Sequence, residues 1–182
     1  MKYIFEDNKI KIKKLFDIAD TLECGQCFRF EKLGEKDYNV FSAGRKIRVK
    51  QEDENTLFYC NEDDFENIWR PYFDLDRDYE EIKKEITKND EIMQKAVNYA
   101  GGIRILNQDR FECLFSFIIS QNNNIPRIKK IIESLCQKYG EKKEDHYAFP
   151  AYERLRTVSE QELFDLKTGF RAKYLYDCIQ KY

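Results

Sequence analysis

The sequence is poor in residues that interrupt regular structure and in histidine. Only 7 of its 182 residues are glycine and 3 are proline, which argues against long disordered linkers. Its single histidine, His146, lies in a polar stretch without a spaced partner. No apolar run approaches the length of about 18 residues that a transmembrane helix requires, and the charged amino-terminal region does not resemble a signal peptide. We therefore expect a soluble, cytoplasmic protein that does not enter a membrane.

The cysteines need a separate interpretation. Cys24-Gly-Gln-Cys27 is a C-x-x-C sequence, which is typical of a redox pair or of half a zinc site. The chain has no second C-x-x-C sequence, so we favour free buried thiols in a reducing compartment over zinc binding or redox chemistry. The six cysteines are at positions 24, 27, 60, 113, 136 and 178.

What the chain does contain is enough apolar material for a sizeable core. The sequence is 42% hydrophobic and 15% aromatic, and its length suits one large domain or two small ones. The net charge of −2 is unevenly distributed. Residues 122–182 contain 12 Lys/Arg and 9 Asp/Glu, a net of +3, so residues 1–121 carry −5. The basic excess therefore lies in the carboxyl-terminal part, where it is modest support for an anionic partner.

The amino-terminal part has the alternation and the turn residues of an antiparallel sheet. A short helix is predicted at 16–22, a polar turn at 31–37, and helices at 63–73, 78–87 and 90–99. These patterns predict an α+β domain over residues 1–95 and a helical domain over residues 96–182. The predicted strands are residues 3–5, 10–12, 28–30, 38–41, 47–49 and 57–59.

The most informative stretch is the pair of helices on either side of three consecutive asparagines. Apolar residues surround almost the whole circumference of the segment 111–119, which predicts a helix buried on most sides. We expect Asn124 to cap the following helix and Pro126 to lie in its first turn. That helix should bury Ile128, Ile131, Ile132, Leu135 and Cys136 on one side.

This corner has groups that suit an anion or the edge of a nucleobase. Three amide side chains, Arg127 and the unpaired N–H groups of a helix N-terminus all lie close together in sequence. A capped corner between two helices with no ligand is an equally acceptable interpretation of these residues. Residue chemistry alone leaves both possibilities open.

The strings around this corner resemble a known family. The sequence CLFSFI-x-S-x-NNNI-x-RI, residues 113–128, closely resembles the segment that opens the helical domain of the 8-oxoguanine DNA glycosylases of the helix-hairpin-helix superfamily. CGQCFRF at 24–30, YFDLD at 72–76 and GFRAKY at 169–174 resemble the same family in the same order. This resemblance implies a twisted antiparallel sheet domain, similar to a TATA-binding-protein half, followed by the first helices of the glycosylase domain.

The resemblance also implies the residues that contact DNA. In the family, residues at the positions of Asn122, Arg127 and Arg171 contact the cytosine left behind when the damaged base leaves the stack. Phe170 occupies the position of an aromatic wedge, which can insert between bases. The carbonyl of Gly25 occupies the position that accepts the N7 hydrogen of 8-oxoguanine, a hydrogen that guanine lacks. A glycine turn leading into a strand is the purely structural alternative for Gly25.

The catalytic groups of the family have no counterpart among these residues. The family uses a glycine-rich hairpin, a lysine that attacks C1′ of the sugar, and an assisting aspartate; no G-x-G-x-K-like hairpin occurs here. We expect the catalytic lysine and aspartate beyond residue 182, and we expect this chain alone to be inactive. The alternatives are a fragment, a separately recorded piece of a longer polypeptide, or a naturally shortened protein.

For the complete enzyme the resemblance implies base flipping, lysine attack, a Schiff base and β-elimination, with no metal or organic cofactor. The expected partners are double-stranded DNA containing 8-oxoguanine and the missing C-terminal helices, in a monomer associated with the nucleoid. Two other classes remain open. A non-catalytic nucleic-acid-binding module would bind DNA without cleaving it, and a protein-interaction fragment would not show salt-sensitive duplex binding.

Overall fold

The computed structural model describes residues 2–182, which form two compact units. The first contains the residues up to Gln26 together with Lys32–Asn39 and Ile47–Asn107. The second contains Cys27–Glu31, Val40–Lys46 and Gln108–Tyr182. The predicted α+β class, with an antiparallel sheet followed by helices, is confirmed. The predicted domain division at residues 95/96 stays a prediction; a helix, Glu91–Ala100, runs across it.

The strands form one six-stranded antiparallel sheet in the order β1-β2-β6-β5-β4-β3. Its register is given by the pairs Phe5 with Ile10, Ile10 with Phe58, and Val49 with Phe58. The strands are β1 (Ile4–Glu6), β2 (Lys9–Lys13), β3 (Phe30–Gly34), β4 (Asp37–Ser42), β5 (Arg45–Glu52) and β6 (Asn55–Tyr59).

The prediction for the third strand is wrong in its position. Residues 28–30 were expected to form the strand and 31–37 a polar turn, but β3 begins only at Phe30 and continues to Gly34. Residues 31–34 are exposed because β3 is the last strand of the sheet, and an edge strand tolerates polar side chains. The polar composition therefore indicates an edge rather than a turn.

Aromatic side chains dominate the core of the first unit. The ring of Phe58 lies 5.3 Å from that of Phe65 and 5.6 Å from that of Phe73, and Phe16 stacks on Phe73. The helices of this unit are α1 (Ile18–Glu23), α2 (Glu62–Asp64), a π-helical turn (Phe65–Trp69), α3 (Arg70–Tyr72), α4 (Tyr79–Ile86) and α5 (Glu91–Ala100).

The second unit is built on two longer helices, α6 (Arg110–Ser120) and α7 (Ile125–Tyr139). The side chain of Asn124 accepts a hydrogen bond from the Arg127 N–H, so the predicted cap is confirmed. The predicted buried side of α7 is confirmed as well, since all five apolar positions are at most 3% exposed. The remaining helices are α8 (Tyr152–Leu155), α9 (Glu160–Leu163), a π-helical turn (Phe164–Thr168) and α10 (Arg171–Lys181).

One expectation about coverage is wrong. Helix α6 is buried on one side rather than most sides, because Leu114 and Phe117 are 45% and 41% exposed. Helix α10 packs its apolar side on the core of this unit: Leu175 and Ile179 are fully buried, Cys178 is partly buried and Tyr174 is exposed. Apolar residues of α6 that could not all fit against one core remain at the surface.

The six cysteines are free thiols in the structure, as predicted. Only Cys27 and Cys136 are buried, whereas Cys24 is exposed, so the expectation of burial holds for two of them. Among residues 2–182, no helix is long and apolar enough to cross a membrane.

Candidate nucleic-acid interface

The corner between α6 and α7 presents one asparagine and uses two others as structural groups. Asn124 caps α7, and the amide of Asn123 donates to the Ile119 carbonyl at 3.0 Å. Asn122 is exposed and adopts a left-handed backbone conformation with φ +48°, which asparagine tolerates better than most residues. Its amide makes no hydrogen bond to any residue in the range 2–182. Asn122 is therefore the member of the run that can accept a ligand.

A buried arginine holds this corner in place. Arg171 is 3% exposed, and its Nε–H and an Nη2–H both donate to the carbonyl of Gln121, at 2.7 and 2.5 Å. Nη2 also donates to the Asn122 carbonyl at 2.7 Å, and Nη1 donates to the Thr168 carbonyl at 3.1 Å. The guanidinium thus joins the start of α10 to the asparagine corner.

Burial lowers the pKa of Arg171, and the nearby positive charge of Arg127 lowers it further. The group remains charged, because arginine has a reference pKa above about 12. Its hydrogen bonds to carbonyl oxygens are consequently charge-assisted and stronger than those between neutral groups.

Arg127 approaches the same region from α7. Its guanidinium is exposed, and one Nη2–H donates to the carbonyl of Lys167 at 3.2 Å. Lys167 also has a left-handed backbone, with φ +65°. Each of the two arginines thus binds the carbonyl of a left-handed residue, Arg171 that of Asn122 and Arg127 that of Lys167.

The residue before Arg171 is an exposed aromatic. Phe170 is 58% exposed, its ring lies 4.4 Å from Cζ of Arg171, and it makes an edge contact with Tyr174 at 6.3 Å. Gly169 precedes it with φ +64°, and an added Cβ would meet no atom within 4 Å. Glycine is required there by the backbone angle rather than by space. The structure brings Asn122, Arg127, Phe170 and Arg171 together in the second unit.

The predicted lesion contact, Gly25, lies in the first unit, in the loop that follows α1. It has φ +89° and intermediate exposure. The next residue, Gln26, anchors this loop: its amide N–H groups donate to the carbonyls of Thr21 and Arg104, both at 2.8 Å, and its oxygen accepts from the Leu106 N–H at 2.9 Å. The sequence analysis did not identify Gln26, because a single glutamine has no pattern of its own.

The second unit also contains a buried ion pair that the sequence did not predict. Nη1 of Arg29 lies 3.9 Å from Oε2 of Glu112, and Nη2 donates to the Tyr147 carbonyl at 2.5 Å. Burial raises the pKa of Glu112 to about 7; Arg29 opposes this effect and Asp109 adds to it. Arg29 lies in a string quoted for the family resemblance and Glu112 directly precedes another, but a charged residue gives no sequence signal that it will be buried.

Comparison with known proteins identifies the family of the chain. Residues 9–114 match the family model described as 8-oxoguanine DNA glycosylase, N-terminal domain, and residues 115–182 match the HhH-GPD superfamily of base excision DNA repair proteins. The chain is 29% identical over 165 residues to the N-glycosylase/DNA lyase OGG1 of Arabidopsis thaliana, covering 85% of this chain and 45% of that protein. It is 30% identical over 187 aligned positions to the N-glycosylase/DNA lyase of Saccharomyces cerevisiae, covering 90% and 49%.

Solved structures show the same similarity. The 8-oxoguanine glycosylase/lyase of Clostridium acetobutylicum, in complex with double-stranded DNA containing cytosine opposite to 8-oxoguanine, superposes with a TM-score of 0.92 at 39% identity. The match covers 100% of this chain and 64% of that one. The chain therefore spans about half the length of the two N-glycosylase/DNA lyases and about two thirds of the solved structure.

The arrangement of a sheet unit followed by a helical unit, together with the match over residues 115–182, is that of the HhH-GPD superfamily of base-excision DNA repair proteins. Within that superfamily, the match over residues 9–114 is more specific. The chain belongs to the 8-oxoguanine DNA glycosylase family.

Proposed function

We propose that this chain supplies the groups that recognise 8-oxoguanine opposite cytosine in duplex DNA during base-excision repair. An enzyme that excises a damaged base must extrude it from the stack and contact the base left behind. Support comes from family membership and from the solved complex of the Clostridium acetobutylicum relative, whose DNA contains that base pair. The observation that carries the proposal is the exposed Asn122 amide, next to the Arg127 guanidinium, on a corner fixed by buried Arg171.

The proposed contacts follow from hydrogen-bonding chemistry. Asn122 and Arg127 donate to the edge of the estranged cytosine, whose ring nitrogen and carbonyl oxygen are acceptors. Phe170 stacks into the space that the flipped base leaves. The Gly25 carbonyl accepts the N7 hydrogen of 8-oxoguanine, and guanine would place a lone pair there instead, a mismatch of about 1–3 kcal/mol.

Arg171 contacts the cytosine in this proposal and also positions Asn122. Its four hydrogen bonds to carbonyls leave one of the five guanidinium N–H groups, on Nη1, without a carbonyl acceptor among residues 2–182. That remaining N–H can reach a base only if the corner itself stays in place. Arg171 therefore acts on cytosine mainly by holding Asn122.

Duplex binding by the 182-residue chain tests this proposal directly. Asn122→Gly removes the amide while keeping a left-handed backbone acceptable, so the fold should be preserved. We expect the variant to lose about tenfold of the preference for 8-oxoguanine:cytosine over 8-oxoguanine:adenine duplex, consistent with losing one contact to the edge of the cytosine. Fluorescence anisotropy measures both affinities, and Gln137→Ala, an exposed amide on α7, is the matched control. An unchanged preference in Asn122→Gly would contradict the proposal.

We further propose that the chemical step requires residues outside this chain. In the complete enzyme a lysine amine attacks C1′ and the N-glycosidic bond to the damaged base breaks, releasing that base. Opening of the sugar ring gives a Schiff base, and β-elimination then cleaves the strand by expelling the 3′-phosphate. A lysine nucleophile must be tuned to the free amine, and no lysine of this sequence lies in a G-x-G-x-K-like hairpin. Incubation with an 8-oxoguanine:cytosine duplex and borohydride should trap no covalent adduct. An adduct at any lysine would show that this chain is catalytically competent.

The uncovered side of α6 suggests where further helices pack. Leu114 and Phe117 are exposed large apolar residues on an otherwise core-facing helix, and such a surface is typical of a packing site. We propose that additional helices of the complete enzyme cover it. The monomeric state and the cytoplasmic, nucleoid-associated location stay predictions.

A further inference from the structure

A cleft of about 280 Å³ lies beside Arg127 in the second unit. It is bounded by one side of α7 and by the π-helical turn Phe164–Thr168. The floor is apolar and the rim is polar. The lining residues are Arg127, Lys130, Ile131, Ser134, Asp165, Leu166 and Lys167.

Positive charge dominates the rim of this cleft. Arg127, Lys130 and Lys167 contribute three cations against the single carboxylate of Asp165. Asp165 accepts a hydrogen bond from the Gln161 amide at 2.9 Å. Lys130 and Lys167 form no salt bridge with any carboxylate in the range 2–182. By contrast, Lys181 is paired with Asp177 at 2.7 Å.

The backbone of Lys167 is unusual for a lysine. It has φ +65° and ψ 26°, a conformation in which glycine would be less strained. The Arg127 guanidinium, which lines the same cleft, binds its carbonyl at 3.2 Å and so links the turn to α7. A long cationic side chain at a position suited to glycine points to a use for that side chain.

We propose that this cleft binds a phosphodiester of the DNA strand that carries the estranged base. The ammonium groups of Lys130 and Lys167 act as compact donors to the phosphate oxygens. The apolar atoms of Ile131 and Leu166 lie beneath the rim, where a sugar can pack. The strand is assigned through Arg127, which lines the cleft and also contacts the estranged cytosine in the proposed function, on which this inference rests.

A phosphate contact has a signature that a base contact lacks. Each neutralised phosphate releases condensed counterions, so the slope of log affinity against log salt changes by about 0.9 per phosphate. The change applies to any sequence, because a phosphate carries no base identity. Loss of this contact should therefore weaken lesion-containing and undamaged duplexes by the same factor.

The test is a salt titration of duplex binding with three forms of the 182-residue chain. The variant Lys130→Gln/Lys167→Gly removes both ammonium groups, and glycine relaxes the left-handed position so that the turn is retained. Lys138→Gln is the control, since it makes the same kind of charge change further along α7 and outside the cleft. Thermal unfolding of each form confirms folding before binding is compared.

For the double variant, we expect the slope of log affinity against log salt to be smaller by about 0.9 than for the parent chain. The ratio of parent affinity to variant affinity should therefore shrink about threefold between 50 and 200 mM salt. Its preference for lesion over undamaged duplex should be unchanged, and Lys138→Gln should resemble the parent chain. A double variant with the parent slope, or one that loses lesion preference at constant slope, would overturn the inference. Failure of the proposed function is distinguishable, because the parent chain would then lack lesion preference whatever its salt slope.

Discussion

The asparagine corner and the Gly25 loop are each fixed by a neighbouring side chain, but the two side chains differ in charge and burial. In each, a group proposed to contact DNA lies next to a side chain that binds backbone groups and so fixes the loop. At the corner the anchor is Arg171, which is buried and charged and donates to carbonyls only. In the loop the anchor is Gln26, which is partly exposed and neutral and both donates and accepts. The comparison indicates that the corner depends more heavily on its anchor.

Arg171→Met should give the largest loss of stability. The change leaves the carbonyls of Gln121, Asn122 and Thr168 without their charged donor in a region where water replaces it poorly. We expect the free energy of unfolding to fall by about 3 kcal/mol, as each unsatisfied buried polar group costs about 1–3 kcal/mol. Urea denaturation measures the loss. Arg127→Met is the control: it removes one hydrogen bond of an exposed guanidinium and should cost about 0.5–1 kcal/mol. Equal losses would refute the comparison.

The second buried arginine, Arg29, differs from Arg171 because its ion-pair partner, Glu112, titrates. Burial raises the pKa of Glu112 to about 7 in the folded protein, above its ordinary value of 4.5. A raised folded pKa means that the folded state binds the proton more tightly, so its contribution to stability is complete below pH 4.5 and is lost as pH rises through about 7. The loss is on the order of 3 kcal/mol.

Glu112→Gln separates this contribution from other pH effects. Glutamine cannot ionise, so parent and variant should have similar stability near pH 4.5 and diverge progressively towards pH 7.5, with the variant the less pH-dependent of the two. Chemical denaturation at several pH values provides the curves. Parallel curves would show that Glu112 titrates alike in the folded and unfolded states. The negative charge of Asp109, which also raises the pKa of Glu112, is present in both proteins.

Gln26→Ala should have a smaller effect than Arg171→Met, because a neutral anchor at a partly exposed site can be replaced by water. We expect a loss of about 1–2 kcal/mol, from hydrogen bonds to Thr21, Arg104 and Leu106. Gln26→Glu keeps an acceptor for the Leu106 N–H but turns a donor into an acceptor facing two carbonyls. It should therefore be less stable than Gln26→Ala. The opposite order in thermal unfolding would mean that the two donated hydrogen bonds contribute little.

The contrast between proposed contact residues and anchors also explains what the sequence could predict. The helical spacing of apolar residues and the capping preference of asparagine predicted α7, its cap at Asn124 and its buried side, because those signals are local. The string around Asn122 and Arg127 suggested the corner, although their roles stay predictions. Local signals could not predict three other features, because each depends on residues distant in sequence. These are the burial of Arg171, the hydrogen bonds of Gln26 and the Arg29–Glu112 pair. The position of β3 was mispredicted for the same reason, since an edge strand is defined by its place in the sheet.

The two asparagines at positions 122 and 124 provide the finest comparison, because they differ in function while sharing chemistry and neighbourhood. Asn124→Ala removes the side chain that accepts from the Arg127 N–H, and loss of an N-cap typically costs about 1 kcal/mol. Asn122→Gly removes an amide without a hydrogen-bond partner among residues 2–182 and relaxes a left-handed backbone, so its stability should stay within about 0.5 kcal/mol of the parent. Thermal unfolding of both variants, compared with their duplex affinities, should show stability falling in Asn124→Ala and the preference for cytosine opposite the lesion falling in Asn122→Gly. If Asn122→Gly were the more destabilised protein, Asn122 would be a structural residue and the assignment of the corner to DNA recognition would lose its main support.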